Sequence, residues 1–244
     1  MKFNLSASTL KIIAIVAMII DHTCYLFFPQ HLWMSRIGRI AFPIFAFLLV
    51  EGFYKTKNIN KYIFRLFIFA LISEIPFNLA FSMTWFNPHH NNVMWTLLIG
   101  LITMKFLDMA KKQKNLVNRV LLIVIVTLLS LVISGYASID YGYKGVLMIL
   151  LFYTYREFTF ANMLMQLIGM IIINYFIMGG FAYYLDIFGY PIQVVHQSFA
   201  LFALPLIWMY RGRQGIKSKF FQLFSYWFYP VHLIILVIIY NLKF

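Results

Sequence analysis

The chain has 244 residues, of which 63% are hydrophobic and only 11% charged, a balance that excludes an ordinary water-soluble domain. Its formal net charge is +13, but the basic residues lie in short stretches between apolar runs. Membrane topology imposes that distribution, and no nucleic-acid partner follows from it. With Cys24 as the single cysteine, an intrachain disulfide is excluded.

Several apolar runs reach the roughly 20 residues that span a hydrocarbon layer. They predict an all-α, polytopic membrane helix bundle forming one integral membrane domain over residues 1–244. The expected spans are 9–28, 36–54, 62–82, 92–108, 116–134, 144–155, 160–178, 190–210 and 221–241. The sixth is too short to cross comfortably alone, so a tilted, re-entrant or shielded segment is expected there. The linker Gly179 to Tyr184 is short and apolar enough to dip into the interface. Lys2 and Lys11 precede the first run as they would in a signal peptide, but that run is long, contains Asp21 and lacks a small-residue cleavage site. It reads as a retained helix.

Counting Lys and Arg by alternate loops places sixteen of the 20 on the side of the N-terminus. The positive-inside rule then orients the N-terminus to the cytoplasm and, over about nine spans, the C-terminus outside.

Within the first run, Asp21 and His22 lie about 16 Å from Leu10, near the middle of the hydrocarbon. An ionisable side chain at that depth costs at least about 2.5–3.5 kcal/mol unless partners, water or a task compensate. Arg39 enters the second span, Glu74 lies in the third shortly before Pro76, His196 in the eighth, and His232 in the ninth beside Pro230. These six residues from five helices fall in one layer between midplane and outer surface. Together they point to a charged, water-containing site. Individually, each also reads as an interhelical hydrogen bonder or a neutralising partner.

A second polar group faces the cytoplasm: Glu51, Lys55, Lys57, Lys61 and Arg65. Most of it is ordinary topogenic loop. Arg65 is expected to start a helix and to offer its guanidinium to a phosphate-bearing ligand. Asn91, Asn92 and Thr96 read as caps at the outer end of the fourth span, and Asp140 with Lys144 flanks Tyr141-Gly142-Tyr143; capping with an exposed ion pair and acceptor binding are both open there. No metal-binding spacing, glycine-rich phosphate loop or dinucleotide fingerprint is present, and no metal is expected.

Six stretches resemble the TraX family, in the same order over nearly the whole chain. They are Leu10-Lys11-Ile12-Ile13-Ala14 through Asp21-His22; Gly38-Arg39-Ile40-Ala41-Phe42-Pro43-Ile44-Phe45-Ala46-Phe47 with Glu51-Gly52-Phe53; Ile72-Ser73-Glu74-Ile75-Pro76-Phe77; Asp140-Tyr141-Gly142 with Lys144-Gly145-Val146; Phe199-Ala200-Leu201; and Phe228-Tyr229-Pro230-Val231-His232-Leu233. Where the family pattern carries an aspartate after Glu-Ile-Pro-Phe, this chain has Asn78, which argues against a charge-dependent role there. The resemblance implies a multi-pass protein of the bacterial cytoplasmic membrane. It further implies an acetyl-CoA-dependent acyltransferase, since TraX proteins are implicated in acetylating conjugative pilin and resemble membrane enzymes that acetylate sugars. The acceptor stays open between a peptide amine and a glycan hydroxyl.

Acetyl transfer from a thioester needs a base for the attacking group and a stabilised oxyanion. The expected catalytic residues are Asp21, His22, Arg39, Glu74 and His232. His22 is the base, oriented by Asp21 or Glu74, and Arg39 or His232 polarises the carbonyl. If Asp21 holds Arg39, Glu74 is left to serve His22. Direct transfer and an acetyl-His22 intermediate are both compatible. Arg65 with Lys55, Lys57 and Lys61 would hold the phosphates of coenzyme A, and Asn91, Asn92, Asp140, Lys144 and His196 would contact the acceptor. The competing expectation is a proton-coupled transporter relaying protons through the same buried groups.

Overall fold

The structure, a computed structural model, describes residues 4–187 and 189–243. Its helices are α1 (Ala7–Phe27), α2 (Leu32–Gly38), α3 (Ala41–Lys55), α4 (Ile59–Phe81), α5 (Val93–Lys111), α6 (Leu116–Tyr136), α7 (Gly142–Thr154), α8 (Phe160–Ile171), α9 (Ala203–Trp208) and α10 (Lys219–Lys243). A π-helical stretch, Ile172–Met178, prolongs α8, and an antiparallel hairpin of β1 (Ala182–Ile187) and β2 (Tyr190–Val195) leads into a 3-10 helix, His196–Phe202.

Among the described residues, seven helical segments are long and apolar enough to cross a membrane, with α2 and α3 together making one of them. They coincide with seven of the nine expected spans. The polytopic helical class therefore holds, and α7, at 13 residues, is short as its sequence requires. The face α6 turns inward confirms the solvent: its buried residues are Ser130 and Ser134, while Leu121, Ile125, Leu128 and Val132 lie exposed. A helix with serines inside and branched aliphatics outside is built for lipid.

The eighth expected span differs. Residues 190–195 are not helical; they pair with 182–187 in register from Ala182 opposite Val195 to Ile187 opposite Tyr190. Aromatic and β-branched residues on both sides of Gly189, with Pro191 unable to donate within a helix, favour a hairpin over a continued helix. The stretch expected to dip into the interface supplies the turn before it, with φ of 62° at Gly179 and 101° at Gly180.

The chain divides into two compact units. The first comprises the described residues of 1–48 and 154–217. Its lengthwise organisation follows from two sets of contacts. At one end the Leu5 amide donates to the Met209 carbonyl at 3.0 Å and the Ala7 amide to that of Arg213 at 2.9 Å. Towards the other, His196 reaches Ser35 and Gln197 reaches Arg39. The segment from His196 to Trp208 therefore runs the length of the unit. Seven residues of 3-10 helix and six of α-helix cover roughly 23 Å. The eighth expected span is therefore not a membrane-length helix; a shorter segment starting at His196 takes its place, and Arg211 and Arg213 return to the N-terminal end. Phe47, edge-on to Tyr210 with 5.4 Å between ring centroids, fills this unit's core, both side chains being essentially inaccessible.

The second unit holds residues 49–153 and the described part of 218–244. Here α4 packs on α5 and on α10, with Phe69 stacked on Tyr226 at 5.1 Å and edge-on to Trp227 at 5.3 Å. Lys105 donates to Asn60 at 2.8 Å and Lys111 caps the Tyr153 ring at 4.2 Å. Those contacts gather the basic loops after α3 and α5 at one end, as the positive-inside pattern demands.

Candidate functional site

Each of the two units holds a cluster of the polar residues expected at membrane depth. In the first unit the cluster begins with a break in the second span. Gly38 ends α2, and Pro43 in the first turn of α3 has no amide hydrogen to continue the ladder. Arg39 sits at the break. Gly38 packs directly against the Asp21 side chain, and a Cβ there would overlap it. The missing side chain brings α1 and α2 into contact at this level.

The Arg39 guanidinium donates to the Asp21 carboxylate, to the Ser35 carbonyl at 3.2 Å and to Gln197 Oε1 at 3.4 Å. Gln197 in turn donates to Asn174 Oδ1 at 3.3 Å, and the Asn174 amide to the Met170 carbonyl at 2.8 Å. Asn174 lies in the π-helical stretch, a local geometry that frequently marks functional positions. Each planar donor or acceptor thus fixes the next, from α1 across the α2 break to the end of α8. The ion pair remains partly accessible, at 22% and 19% of side-chain surface for Arg39 and Asp21.

Of the two expected partners for Asp21, the structure shows Arg39. His22, half-buried, follows on α1 about 100° further round. His196 is buried, begins the 3-10 helix rather than lying inside a long span, and shares a 3.1 Å hydrogen bond between Nε2 and Ser35 Oγ.

In the second unit Glu74 is the centre. Its Oε2 accepts from the Asn92 side-chain amide and, at 2.9 Å, from the Trp95 indole. Asn92 also caps α5, with Oδ1 accepting from the Met94 amide at 3.0 Å, and donates to the Ala70 carbonyl at 2.8 Å. The expected cap is therefore also a carboxylate ligand. Glu74 Oε1, Ser73 Oγ and both amide atoms of Asn78 are buried with no hydrogen-bond partner among the described residues. Pro76 lies between these side chains within α4. An unmet buried polar atom costs about 1–3 kcal/mol, so a stretch with four of them marks a candidate site.

The remaining expected site residues of this unit are placed as follows. Asn91 braces a loop: its amide donates to Ser138 O at 2.8 Å and its carbonyl accepts from the Asp140 amide at 2.8 Å. The Thr96 hydroxyl donates to the Asp140 carbonyl, and the Asp140 carboxylate accepts from the Tyr141 amide at 3.0 Å. Lys144 is half-buried in the first turn of α7. His232 Nδ1 donates to the Phe228 carbonyl at 2.8 Å, and its ring stacks on Phe228 at 5.1 Å. That tautomer leaves Nε2 as an acceptor.

Arg65 does not begin a helix. It lies well inside α4, exposed, with its guanidinium 5.8 Å and 5.9 Å from the Tyr62 and Tyr226 ring centroids. The helix starts six residues earlier because Asn58 caps it, accepting from the Lys61 amide at 2.9 Å. Lys55 pairs with buried Glu51 at 2.9 Å, while Lys57 and Lys61 are exposed.

Residues that sequence reasoning missed include Ser35, Arg36, Trp95, Asn174, Tyr183 and Gln197. A lone Asn or Gln within an apolar span is itself a signal, since it needs a partner at that depth. Asn174 and Gln197 carried that signal.

Membrane-length helices and polar clusters within the apolar segments define a multi-pass membrane protein. The sequence matches the TraX protein family over residues 6–240, and the chain belongs to that family. It is 29% identical to a probable fimbrial assembly protein FimC, serogroup H1, of Dichelobacter nodosus, over 96% of this chain and 95% of that protein. A shorter stretch, 30% of the chain and 27% of the relative, is 36% identical to an uncharacterized protein of Rickettsia prowazekii (strain Madrid E). No solved structure matches.

Proposed function

We propose that the protein is an integral membrane acetyltransferase of the cell membrane, moving an acetyl group from cytoplasmic acetyl-CoA to an acceptor on the outer side. The observation that carries this reading is the Asp21–Arg39 pair, fixed by Ser35 and Gln197, beside His22 on an apolar helix. The likeness to a probable fimbrial assembly protein favours a peptide amine of a fimbrial or pilus subunit over a glycan hydroxyl as acceptor.

In this mechanism His22 takes the proton from the attacking nitrogen or oxygen as its bond to the acetyl carbon forms. The Arg39 guanidinium, with Asp21 setting its plane, receives the charge that develops on the carbonyl oxygen. The carbon–sulfur bond then breaks, and the departing thiolate takes the proton from His22. An acetyl-His22 intermediate divides the same transfer into two such steps. Glu74 and His232 are the acid–base groups assigned to the second unit. Arg65, Lys55, Lys57 and Lys61 supply the positive charge for coenzyme A phosphates.

Membranes containing the protein, incubated with labelled acetyl-CoA, should yield a labelled subunit or glycan that membranes without it do not. Absence of any labelled product, with proton-coupled solute flux independent of coenzyme A, would establish the transporter instead.

A further inference from the structure

A second cluster in the first unit takes no part in the mechanism above. Arg36, on α2, has its guanidinium carbon 4.5 Å from the Tyr183 ring centroid and 5.4 Å from that of Phe199. Phe199 also lies 6.5 Å from both the Tyr183 and the His196 rings, and Phe181 covers His196 at 4.3 Å. Around Phe199, therefore, three polar side chains converge from α2, β1 and the 3-10 helix.

Each of the three holds a buried polar atom with no hydrogen-bond partner among the described residues: Arg36 Nε, the Tyr183 hydroxyl and His196 Nδ1. All three can donate. Arg36 can do nothing else, a tyrosine hydroxyl donates readily, and Nδ1 carries the hydrogen when Nε2 accepts from the Ser35 hydroxyl. Among the described residues no carboxylate of the unit hydrogen-bonds to these three atoms, and Glu157 is exposed. Asp21 is engaged by Arg39, and Asp186, exposed, accepts from the Gly189 amide at 2.8 Å. The aromatic faces hold the guanidinium by cation–π attraction, which leaves its hydrogen-bonding edge unused.

We propose that Arg36, Tyr183 and His196 form a receiving site for an oxyanion group, of the phosphate or carboxylate kind. A cation is repelled by Arg36, and an apolar group leaves three buried donors unmet. An anion bearing several acceptor oxygens answers both the charge and the donor set. Two sources present that chemistry at a membrane surface: the phosphodiester of a lipid headgroup, or an oxyanion carried by a soluble molecule. The site stands on these contacts alone and is independent of acetyl transfer.

The test is binding, without acetyl-CoA. The full chain, purified in a neutral maltoside detergent, is titrated with inorganic phosphate at constant ionic strength, and occupancy is read from phosphorus NMR line broadening. Wild type should bind saturably. Arg36→Gln should weaken binding at least about tenfold, and Tyr183→Phe, which removes one hydroxyl, about three- to tenfold. Arg36→Lys keeps the charge but not the flat donor edge and should restore only part of the loss. Phosphatidylcholine and phosphatidylglycerol both carry the phosphodiester, so wild type in nanodiscs of either lipid should bind phosphate more weakly than in detergent if the headgroup is the source. Equal phosphate affinity in detergent and in nanodiscs assigns the site to a soluble oxyanion. No saturable binding in detergent, or unchanged affinity in Tyr183→Phe and Arg36→Gln, overturns the proposal; if Arg36→Gln does not fold, Tyr183→Phe alone decides.

Discussion

Arg39 and Asp21 pair across a contact between α1 and α2 that depends on the absence of a side chain at Gly38. Both charges rest on helices whose neighbours are apolar. Removing either partner leaves the other uncompensated at a depth where that is costly.

Gly38→Ala should therefore act as an ion-pair mutation without touching a charge. The added Cβ overlaps Asp21, and relief requires the two helices to part. A loss of about 1–3 kcal/mol is expected from the overpacking, together with most acetyl transfer. Thermal unfolding of the purified protein, paired with the labelled-acetyl assay, measures both. A variant as stable and active as wild type would show that the close approach is dispensable.

His22→Ala should abolish transfer while the protein stays inserted and abundant. Asp21→Asn should lose most activity, because an amide does not balance a guanidinium. Arg39→Lys retains the charge but cannot reach Asp21, the Ser35 carbonyl and Gln197 with one planar fork, and a fall of at least about 100-fold in kcat is expected. Wild-type rates in well-expressed His22→Ala would remove that residue from the mechanism.

For Glu74 the structure separates stability from chemistry. Glu74→Gln can keep a carbonyl oxygen towards Asn92 and Trp95 and place its amide where the unpartnered oxygen now lies. Stability should change by no more than about 0.5 kcal/mol while activity falls sharply. Asn92→Ala has the opposite signature: it removes the α5 cap, worth about 1 kcal/mol, and a carboxylate donor, for a total loss of about 2–3 kcal/mol. Equal activity of Glu74→Gln and wild type would exclude acid–base work at this carboxylate.

Donor sidedness separates enzyme from transporter. In proteoliposomes of defined orientation, only acetyl-CoA on the face bearing the Lys55, Lys57 and Lys61 loop should support reaction. Arg65→Glu should raise the apparent KM for acetyl-CoA with a smaller effect on kcat, and high salt should do likewise where the lysines attract the donor at long range. Use of donor from both faces, or an unaltered KM in Arg65→Glu, would refute entry at this group.

What the amino-acid sequence determined by itself is the solvent and the path of the chain. Apolar runs of bilayer length and basic residues in alternate loops follow from composition along the chain, because lipid demands internally bonded backbone wherever the chain crosses. Seven spans, the short α7 and the presence of Asp21, Arg39 and Glu74 within apolar segments were legible for that reason. The hairpin before His196 was written in residues 182–195 as well, but mean apolarity hid a pattern that a single window cannot tell from a helix. Which partner each buried charge takes was decided only by the tertiary structure. That Asp21 meets Arg39 depends on Gly38 at a helix crossing, that Glu74 meets Asn92 and Trp95 on the packing of α4 against α5, and that Arg36 lies between Tyr183 and Phe199 on a hairpin folding back over α2. Hydrogen bonds and ion pairs act over a few ångströms in space, between residues separated by up to 208 positions in sequence, and no local pattern encodes that distance.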